Sequence, residues 1–517
     1  MCSVCRLETA YARFLCHYNT DLLNSKEMQT APTQEVQIAA PSVAASTGAR
    51  ASIFQRLCAD LFQPVDISFL VFFRILFGGI MLWEVYRYVT YGWISRYFIE
   101  PALTFTYYGF SWVKPWPGNG MYIHFWVLGL SAACVMVGFL YRIATPIFFL
   151  AFTYFFLLEQ TRYLNHFYLI CLISFVICFL PAERAFSVDA LLRRKIRSDV
   201  VPAWTLWLVR AQVGIPYFYG GIAKLNSDWL FGGEPMRTWL SPLGRFFAAD
   251  WVVYGFVIGG LMLDLLVVPL LLWRRTRMFA VAAAILFNLI NAVIFDIGIF
   301  PWLMLGALLV FFPPDLMRRF ARAFMSPGEM SAAAKPLPIS SESYCPSSSA
   351  SQKLVLGLLA VFLVVQLLFP LRHYLYPGNV SWTEEGHNFA WHMKLRTKVG
   401  EAIFNVTHPQ SGQTWTINAQ DYLKPHQVKM TTKPDLIVQF AHYLAEVKRR
   451  EGYENVEVRA HVMVSLNGRQ PQLMIDPNVD LSKEQVSLLP ARWIVPLTTP
   501  LGSRMQQRRS AAEYTVE

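Results

Sequence analysis

Charged side chains are scarce in this 517-residue sequence: Asp, Glu, Lys and Arg together make up 15% of it. Soluble globular chains are nearer a quarter charged, so the composition argues against a cytosolic enzyme and against a disordered protein. Apolar residues are abundant instead, at 55% with a mean hydropathy of +0.35. The net charge of +11 need not indicate nucleic acid, because Lys and Arg orient the cytoplasmic loops of apolar chains. We predict a multi-pass membrane protein whose partner is the lipid bilayer, not nucleic acid.

Cysteine patterns that bind zinc or build a disulfide framework are also missing. Cys2 and Cys5 form a C-x-x-C without a second pair, so none of the eight cysteines belongs to a complete zinc-site pattern, and the polar C-terminal part contains no cysteine. Several cysteines lie inside apolar runs, where small buried thiols are expected. The N-terminus lacks the apolar stretch of a signal peptide and is rich in Ala, Ser, Thr and Gln, which predicts a disordered tail. The sequence therefore predicts neither a metal site nor a disulfide-held domain.

Nine apolar runs follow the tail. A bilayer span takes about 20 apolar residues, and several of the runs have that length. Those near 143–158 and 299–313 are shorter than the others. We predict a mainly α-helical transmembrane bundle of about nine spans. The runs lie near residues 67–89, 124–141, 143–158, 164–181, 204–224, 251–273, 278–296, 299–313 and 353–371.

Three basic clusters follow the fourth, sixth and eighth runs, and they predict the orientation of the chain. If every run crosses once, the three clusters share one face, and the positive-inside rule makes that face cytoplasmic. The N-terminus is then cytoplasmic, and the chain from about residue 372 lies in the ER lumen or in the bacterial periplasm. The clusters consist of Arg193, Arg194, Lys195 and Arg197; Arg274, Arg275 and Arg277; and Arg318, Arg319 and Arg322.

The polar C-terminal part predicts a β-rich extramembrane domain with one helix. The segments "EAIFNVTH" and "VEVRAHVMVSLNG" alternate polar and apolar residues as strands do. In "KPDLIVQFAHYLAEVKRR", apolar residues including Leu436, Phe440 and Leu444 fall on one helical face. The predicted units are a tail (1–55), a transmembrane catalytic bundle (56–325), a cytoplasmic linker (326–352), the last transmembrane helix (353–371), a lumenal or periplasmic β-rich domain (372–500) and a C-terminal tail (501–517).

Two groups of polar residues lie at the outer ends of spans, where ionisable side chains are costly and are candidates for function. Asn165 and His166 begin the fourth run, and Lys224 ends the fifth. The predicted topology places both groups at the same depth on the same side of the membrane. We therefore expect them to share one pocket.

Non-catalytic interpretations remain open at this point. A lysine at a span end can simply extend its amine to the lipid headgroups, and a lone histidine there can be a packing residue. Gly220 and Gly221 can serve close helix packing. Arg210, together with Gln212, can pair with Asp264 or Glu159 as a structural contact.

The catalytic interpretation rests on the chemistry of a buried amine. Burial in an apolar pocket disfavours the ammonium form of a lysine, and a neutral amine near pH 7 is a usable general base. Asn and His side chains can orient a planar, oxygen-bearing ligand by hydrogen bonds. Aromatic residues surround Lys224 and suit a ring ligand that enters from the bilayer: Tyr217, Phe218, Tyr219, Trp229 and Trp239.

From about residue 60 to about residue 500, the sequence resembles the vitamin K-dependent gamma-glutamyl carboxylase family. Five motifs carry the resemblance, in this order: "LNHFYL", "FSVDALL", "LVRAQVGIPYFYGGIAKLNSDWL", "SWTEEGHNFAWHMKLRTK" and "MVSLNGRQPQLMIDPNVDL". The resemblance implies that Lys224 is the catalytic base and that His166 assists it. It also implies that Asn165 and His166 contact the quinol, and we predict that Tyr217, one of the aromatic residues around Lys224, binds it as well. Trp391 and Arg396 would lie in the segment that binds the protein substrate.

The reaction that this resemblance implies needs vitamin K hydroquinone, O2 and CO2 but no metal. A neutral lysine deprotonates the hydroquinone, which reacts with O2 to give a strongly basic alkoxide and leaves as the epoxide. The alkoxide removes a proton from the γ-carbon of a Glu residue in a protein or peptide, and the carbanion adds CO2. A dry pocket is required, because water would quench both species.

Two other functions stay open: a quinol epoxidase without carboxylation, and a non-catalytic lipid-binding or scaffold protein. A transporter is disfavoured, because the sequence shows neither repeated halves nor a broken-helix site near the midplane.

Overall fold

The computed structural model describes residues 53–295, 297–323 and 349–502. Most of the predicted N-terminal tail, the predicted linker up to residue 348 and the predicted C-terminal tail beyond residue 502 lie outside the described residues. The described chain is mostly helical, so the predicted mainly α class is confirmed.

Each of the nine apolar runs contains a helix. In chain order these are α1 (Ser68–Thr90), α2 (Gly120–Val137), α3 (Tyr141–Leu157), α4 (Asn165–Ile177), α5 (Ala203–Ala223), α6 (Asp250–Leu272), α7 (Arg277–Ile294), α8 (Phe300–Ala307) and α9 (Ser349–Leu368). Shorter helices span Ile53–Phe62, Val188–Leu192, Met236–Leu240, Leu316–Ala323 and Val380–Thr383.

The predicted count of nine spans is not confirmed. Among the described residues, five helices are long and apolar enough to cross a membrane, namely α1, α2, α6, α7 and α9 with its extension to Leu375. Helices α3, α4 and α8 are shorter than the roughly 20 residues that a perpendicular crossing needs. Helix α5 has 21 residues, but Arg210, Gln212 and its glycines and tyrosines lower its mean hydropathy.

Two arginines inside the bundle, Arg74 and Arg210, pair with backbone carbonyls. Arg74 donates to the carbonyl oxygens of Ala182 and Phe186, with a distance of 2.6 Å in both hydrogen bonds. Arg210 donates to the carbonyls of Val310 and Phe312 at 2.8 and 3.2 Å. These carbonyls lie in turns or at the end of a short helix, where a cation can satisfy an oxygen that has no helical N–H partner. The expectation that Arg210 pairs with Asp264 or Glu159 is therefore wrong, which leaves Asp264 available to another cation.

Ion pairs bring two of the three basic loops to one end of the bundle. Arg318 contacts Asp66 at 2.7 Å and Asp199, which follows the first basic cluster, at 2.9 Å. Nearby, the short strands Pro64–Asp66 and Val200–Pro202 pair antiparallel. This agrees with a shared face for these two clusters, while the side of the membrane stays a prediction.

The C-terminal domain contains one small antiparallel sheet. Its strands are β1 (Lys398–Thr407), β2 (Thr414–Asn418), β3 (Glu457–Leu466) and β4 (Gln472–Leu473), in the spatial order β2-β1-β3-β4. Both predicted strand segments, in β1 and β3, are thereby confirmed. The term β-rich overstates the sheet, because most of the domain is loop and helix.

Helix α10 (Pro434–Arg450) covers one face of this sheet. The predicted apolar face is confirmed, since Leu436, Phe440 and Leu444 are all buried. They share a core with alternate residues of β1 and β3, as expected when one face of a sheet is covered. Phe105, from the segment between α1 and α2, is buried in the same core, so that segment helps to join bundle and domain.

Candidate functional site

Lys224 caps the C-terminal end of α5, and its side chain turns inward. The residue is only 5% exposed. Its amine Nζ donates to Asp264 Oδ2 at 2.5 Å and to the carbonyl of Gly220 at 3.3 Å. A lysine that extended its amine to the headgroups would be exposed, so the structure contradicts that interpretation of Lys224.

Asp264, in the middle of α6, is the acidic partner of Lys224. The sequence interpretation pairs it with Arg210 instead. Both side chains of the Lys224–Asp264 pair are nearly inaccessible, at 6% and 4%. Such a pair can hold its proton in two ways, as ammonium with carboxylate or as amine with carboxylic acid. In a site of low dielectric the choice depends on whatever lies beside the pair.

Two glycines of α5 let α6 approach the amine. A Cβ atom at Gly221 would lie 2.6 Å from Leu265 Cδ2, and one at Gly220 would lie 2.9 Å from Met393 Cε and 3.1 Å from Asp264 Oδ2. No larger residue fits without displacing a neighbour. The packing interpretation of these glycines is therefore confirmed, and it explains how Asp264 reaches Lys224.

Asn165 and His166 begin α4 and face the same cavity as Lys224. The Asn165 amide is held at both ends: its Oδ1 accepts from Tyr163 Oη at 3.0 Å, and its Nδ2 donates to the carbonyl of His392 at 3.2 Å. His166 is buried with its ring centroid 5.7 Å from that of Phe300. The expected shared pocket of Asn165, His166 and Lys224 thus exists.

The cavity has a volume of about 810 Å³, within the usual range for sites that enclose a small molecule. Its walls are mainly apolar and aromatic, and Tyr217 is part of them. The polar lining residues are Asn165, His166, Tyr217, Lys224, Asp264, Asn288, Asn291, Lys394 and Lys429. Trp229 closes the wall beside the amine, with Lys224 Nζ 5.3 Å from its ring centroid. A planar ligand with a few oxygen atoms matches this distribution.

Trp391 and Arg396 lie in a segment that enters the bundle, but only part of that segment reaches the cavity. Trp391 is 1% exposed and packs against the ring of Tyr168. Met393 and Lys394 line the cavity. Arg396 is not among the lining residues and pairs with Glu384 at 2.6 Å.

Arg396 belongs to a buried polar cluster next to the cavity segment. Glu384 accepts from Arg396 and also from Lys398 at 3.0 Å. Burial lowers the pKa of Lys398 to about 8, although the negative charge of Glu384 acts to raise it. Burial and nearby cations also lower the pKa of His392 to about 3 and that of His387 well below its usual range. Both histidines are therefore neutral near pH 7.

Another buried ion pair, which the sequence did not indicate, joins the C-terminal domain to the loop after Lys224. The Asp228 carboxylate accepts from both terminal nitrogens of Arg469 at 2.6 Å and from Asn467 Nδ2 at 2.8 Å. This bidentate geometry is the strongest that an arginine makes with a carboxylate. We call this pair the Asp228–Arg469 clamp. It joins the C-terminal domain to a point of the chain four residues after Lys224.

Comparisons with known proteins cover both parts of the chain. Residues 62–316 match the family model of the HTTM domain. Residues 351–500 match the model described as the vitamin K-dependent gamma-carboxylase lumenal domain. No solved structure matches the chain. Within residues 53–295, 297–323 and 349–502, no group of three or more His, Cys, Asp or Glu side chains has the arrangement of a metal site.

Proposed function

The chain belongs to the vitamin K-dependent gamma-carboxylase family, and on this premise we propose that it is a membrane-embedded gamma-glutamyl carboxylase. It would convert reduced vitamin K to its epoxide with O2 and use that reaction to add CO2 to the γ-carbon of protein Glu residues. One observation carries the proposal: the buried Lys224 amine shares a cavity of about 810 Å³ with Asn165 and His166.

The residues of the cavity fit a reduced naphthoquinone. Such a ligand has a flat apolar ring, two hydroxyl groups and an apolar tail, and the cavity offers aromatic walls with few polar groups. Gly255 and Gly259 of α6 line the cavity and have no neighbour within 4 Å of an added Cβ atom. Leu286 of α7, also a lining residue, is 60% exposed. The wall between α6 and α7 therefore gives an apolar tail a route from the bilayer.

In this proposal, the Lys224–Asp264 pair acts as one proton acceptor. The pair is neutral overall whether it exists as ammonium with carboxylate or as amine with carboxylic acid. Uptake of one proton from a ligand hydroxyl makes it cationic, which offsets the charge left where the proton departed. The hydroquinone, once bound with O2, supplies the base strong enough for the Glu γ-carbon.

Asn165 and His166 would orient the ring of the ligand. The Asn165 amide is fixed by Tyr163 and His392, so its geometry does not have to be organised on binding. The aromatic wall around Lys224, including Trp229 and Tyr217, excludes water from the reacting atoms.

The Glu side chain of the substrate would bind at the polar cluster beside the cavity. Among the described residues, Arg396 Nη1, His387 Nδ1 and His392 Nε2 are buried without a hydrogen-bond partner. Buried polar groups normally have partners, so three that lack one support a ligand with several acceptor oxygens, as a carboxylate has. Trp391 and Arg396 are thus proposed to position the substrate next to Met393 and Lys394 on the cavity wall.

The test is product analysis with purified protein, reduced vitamin K, O2, labelled bicarbonate and a Glu-containing peptide. We expect the epoxide and labelled peptide from the wild-type chain and neither product from Lys224→Ala. Lys353→Ala is the matched control, because Lys353 is an exposed lysine near a span end. Unchanged epoxide formation by Lys224→Ala would refute the role of the amine. Epoxide without label would identify a quinol epoxidase, and a wild-type chain without either product would indicate a non-catalytic protein.

A further inference from the structure

The C-terminal domain exposes two adjacent leucines on one loop. Leu488 and Leu489 are 66% and 74% exposed, whereas Leu436 and Leu481 of the same domain are completely buried. Single exposed apolar residues are common on protein surfaces, but neighbouring ones that form a patch usually mark a contact with another apolar phase. Residues 487–490 are called the leucine loop below.

The leucine loop lies where the last apolar helix leaves the bundle. Tyr376 Oη donates to the carbonyl of Leu488 at 2.9 Å, and the amide of Ala491 donates to Glu385 Oε1 at 2.8 Å. Tyr376 follows directly on Leu375, the last residue of the candidate span. The loop is therefore tied on both sides to the segment that connects α9 with the C-terminal domain.

The surface next to the loop is also apolar and accessible. Tyr374 and Leu375 are 68% and 80% exposed, and only 11% of the apolar window of α9 is buried in the protein. The leucine loop thus continues the exposed apolar surface of α9, which is a candidate membrane span. Exposed cations, Lys483 and Arg492, stand on either side of the loop in the sequence.

We propose that the leucine loop inserts into the bilayer leaflet on the side of the C-terminal domain, as an interfacial anchor. Apolar side chains flanked by Tyr, Lys and Arg are the pattern that settles at the boundary between headgroups and acyl chains. The loop is already shaped for this role, since Ser487 Oγ accepts from the amide of Leu489 at 3.2 Å and holds the turn. The domain then rests on lipid through this loop in addition to its contacts with the bundle.

The experiment uses the full chain reconstituted in phosphatidylcholine vesicles. The residue p-acetylphenylalanine is introduced at position 489 and coupled to a hydroxylamine nitroxide, which avoids the native cysteines. Paramagnetic resonance then compares the collision of the label with O2, which concentrates in the bilayer, and with a water-soluble nickel chelate. Ser411 is the control position, because it lies exposed in the turn between β1 and β2, a ten-residue strand away from the cavity segment.

We expect the label at position 489 to be several-fold less accessible to the nickel chelate than the label at 411, and more accessible to O2. Equal nickel accessibility at the two positions would overturn the proposal. So would protection at 489 that arises only when a Glu-containing peptide is added, because the loop would then be a docking surface for protein. If the label at 489 prevents folding, the same comparison is made at 488. None of these accessibility measurements depends on enzymatic activity.

Discussion

Two buried ion pairs lie four residues apart in this chain, and they differ in how completely their hydrogen bonds are used. In the Asp228–Arg469 clamp, the carboxylate accepts three N–H groups, and Arg469 also donates to the carbonyls of Leu466 and Thr499. In the Lys224–Asp264 pair, the amine makes two contacts, to Asp264 and Gly220, and lines a cavity.

Burial does not distinguish the two pairs, because their side chains are all 8% exposed or less. The two pairs differ in whether a group with unused hydrogen-bonding capacity faces the cavity. An ammonium group has three donors and an amine has a lone pair, so Lys224 can still engage a ligand. Arg469 uses four of its five N–H donors on Asp228, Leu466 and Thr499, and neither Arg469 nor Asp228 lines the cavity. We infer that the pair away from the cavity holds the structure and that the pair lining the cavity is available for chemistry.

The largest expected effect comes from Lys224→Gln. Glutamine can still donate a hydrogen bond to Asp264 but cannot accept the proton, so turnover to the epoxide should fall about 10²- to 10⁴-fold. The neutral amide also leaves Asp264 buried without its cation, so the apparent melting temperature should fall as well, and turnover is compared per folded protein. Rates of epoxide formation and thermal unfolding of the same preparation check both statements. Retained turnover would remove the distinction between the two pairs.

The next effect is on stability, from Arg469→Ala. The substitution leaves the Asp228 carboxylate buried without its cation, which costs about 3–5 kcal/mol of unfolding free energy. Chemical unfolding in detergent measures it. Arg459→Ala is the control: Arg459 is 42% exposed and pairs with Glu457, so its loss should cost about 1 kcal/mol or less. Similar losses in the two variants would contradict the clamp.

A third prediction concerns Glu234, whose amide donates to the carbonyl of Asp228 at 2.9 Å. Burial raises the pKa of Glu234 to about 7 from 4.5, and the charge of Asp228 adds to the shift. The folded protein therefore binds this proton more tightly than the unfolded chain. The contribution of this proton to the unfolding free energy is complete below pH 4.5 and is lost as the pH rises through 7, by about 3 kcal/mol in total.

Glu234→Gln should flatten this dependence, because the amide does not titrate. The measurement is the unfolding free energy of wild type and variant from pH 5 to pH 8. Parallel curves for the two proteins would mean that Glu234 does not keep its proton in the folded state.

The smallest effect separates the two aspartates. Asp264→Asn keeps the shape of the side chain but removes the partner that shares the proton of Lys224, so turnover should fall about tenfold. Asp228→Asn should instead lower stability while the folded fraction keeps most of its turnover. Rates normalised to folded protein, determined for both variants, give the comparison. If Asp228→Asn lost turnover and Asp264→Asn lost only stability, the clamp and not the cavity pair would take part in the reaction.

The sequence predicts those parts of the site that depend on membrane depth. Asn165, His166 and Lys224 line one cavity, as predicted from their positions at the ends of apolar runs that the basic loops orient. In the C-terminal domain, alternation predicts β1 and β3, and a 3.6-residue period predicts α10. Local periodicity and depth are properties of single segments, so they can be read without knowing the packing.

Contacts that depend on helix rotation or on distant segments are not visible in the sequence. Asp264 reaches Lys224 only because Gly220 and Gly221 let α6 pack close to α5. No pattern in the sequence of α6 alone shows which of its faces points toward α5. Arg469 meets Asp228 across 241 residues. The number of crossings fails for a related reason, since short helices such as α4 are apolar enough for a span but not long enough.

Gly220 occupies a point where three parts of the molecule meet. Its missing side chain leaves room for Met393 from the C-terminal domain and for Asp264 from α6, while its carbonyl receives the amine of Lys224. An added methyl group would lie 2.9 Å from Met393 Cε and 3.1 Å from Asp264 Oδ2, so the methionine would have to move and the acid would be crowded. For anyone redesigning this protein, position 220 therefore depends on two others: residues 264 and 393 are best varied together with it.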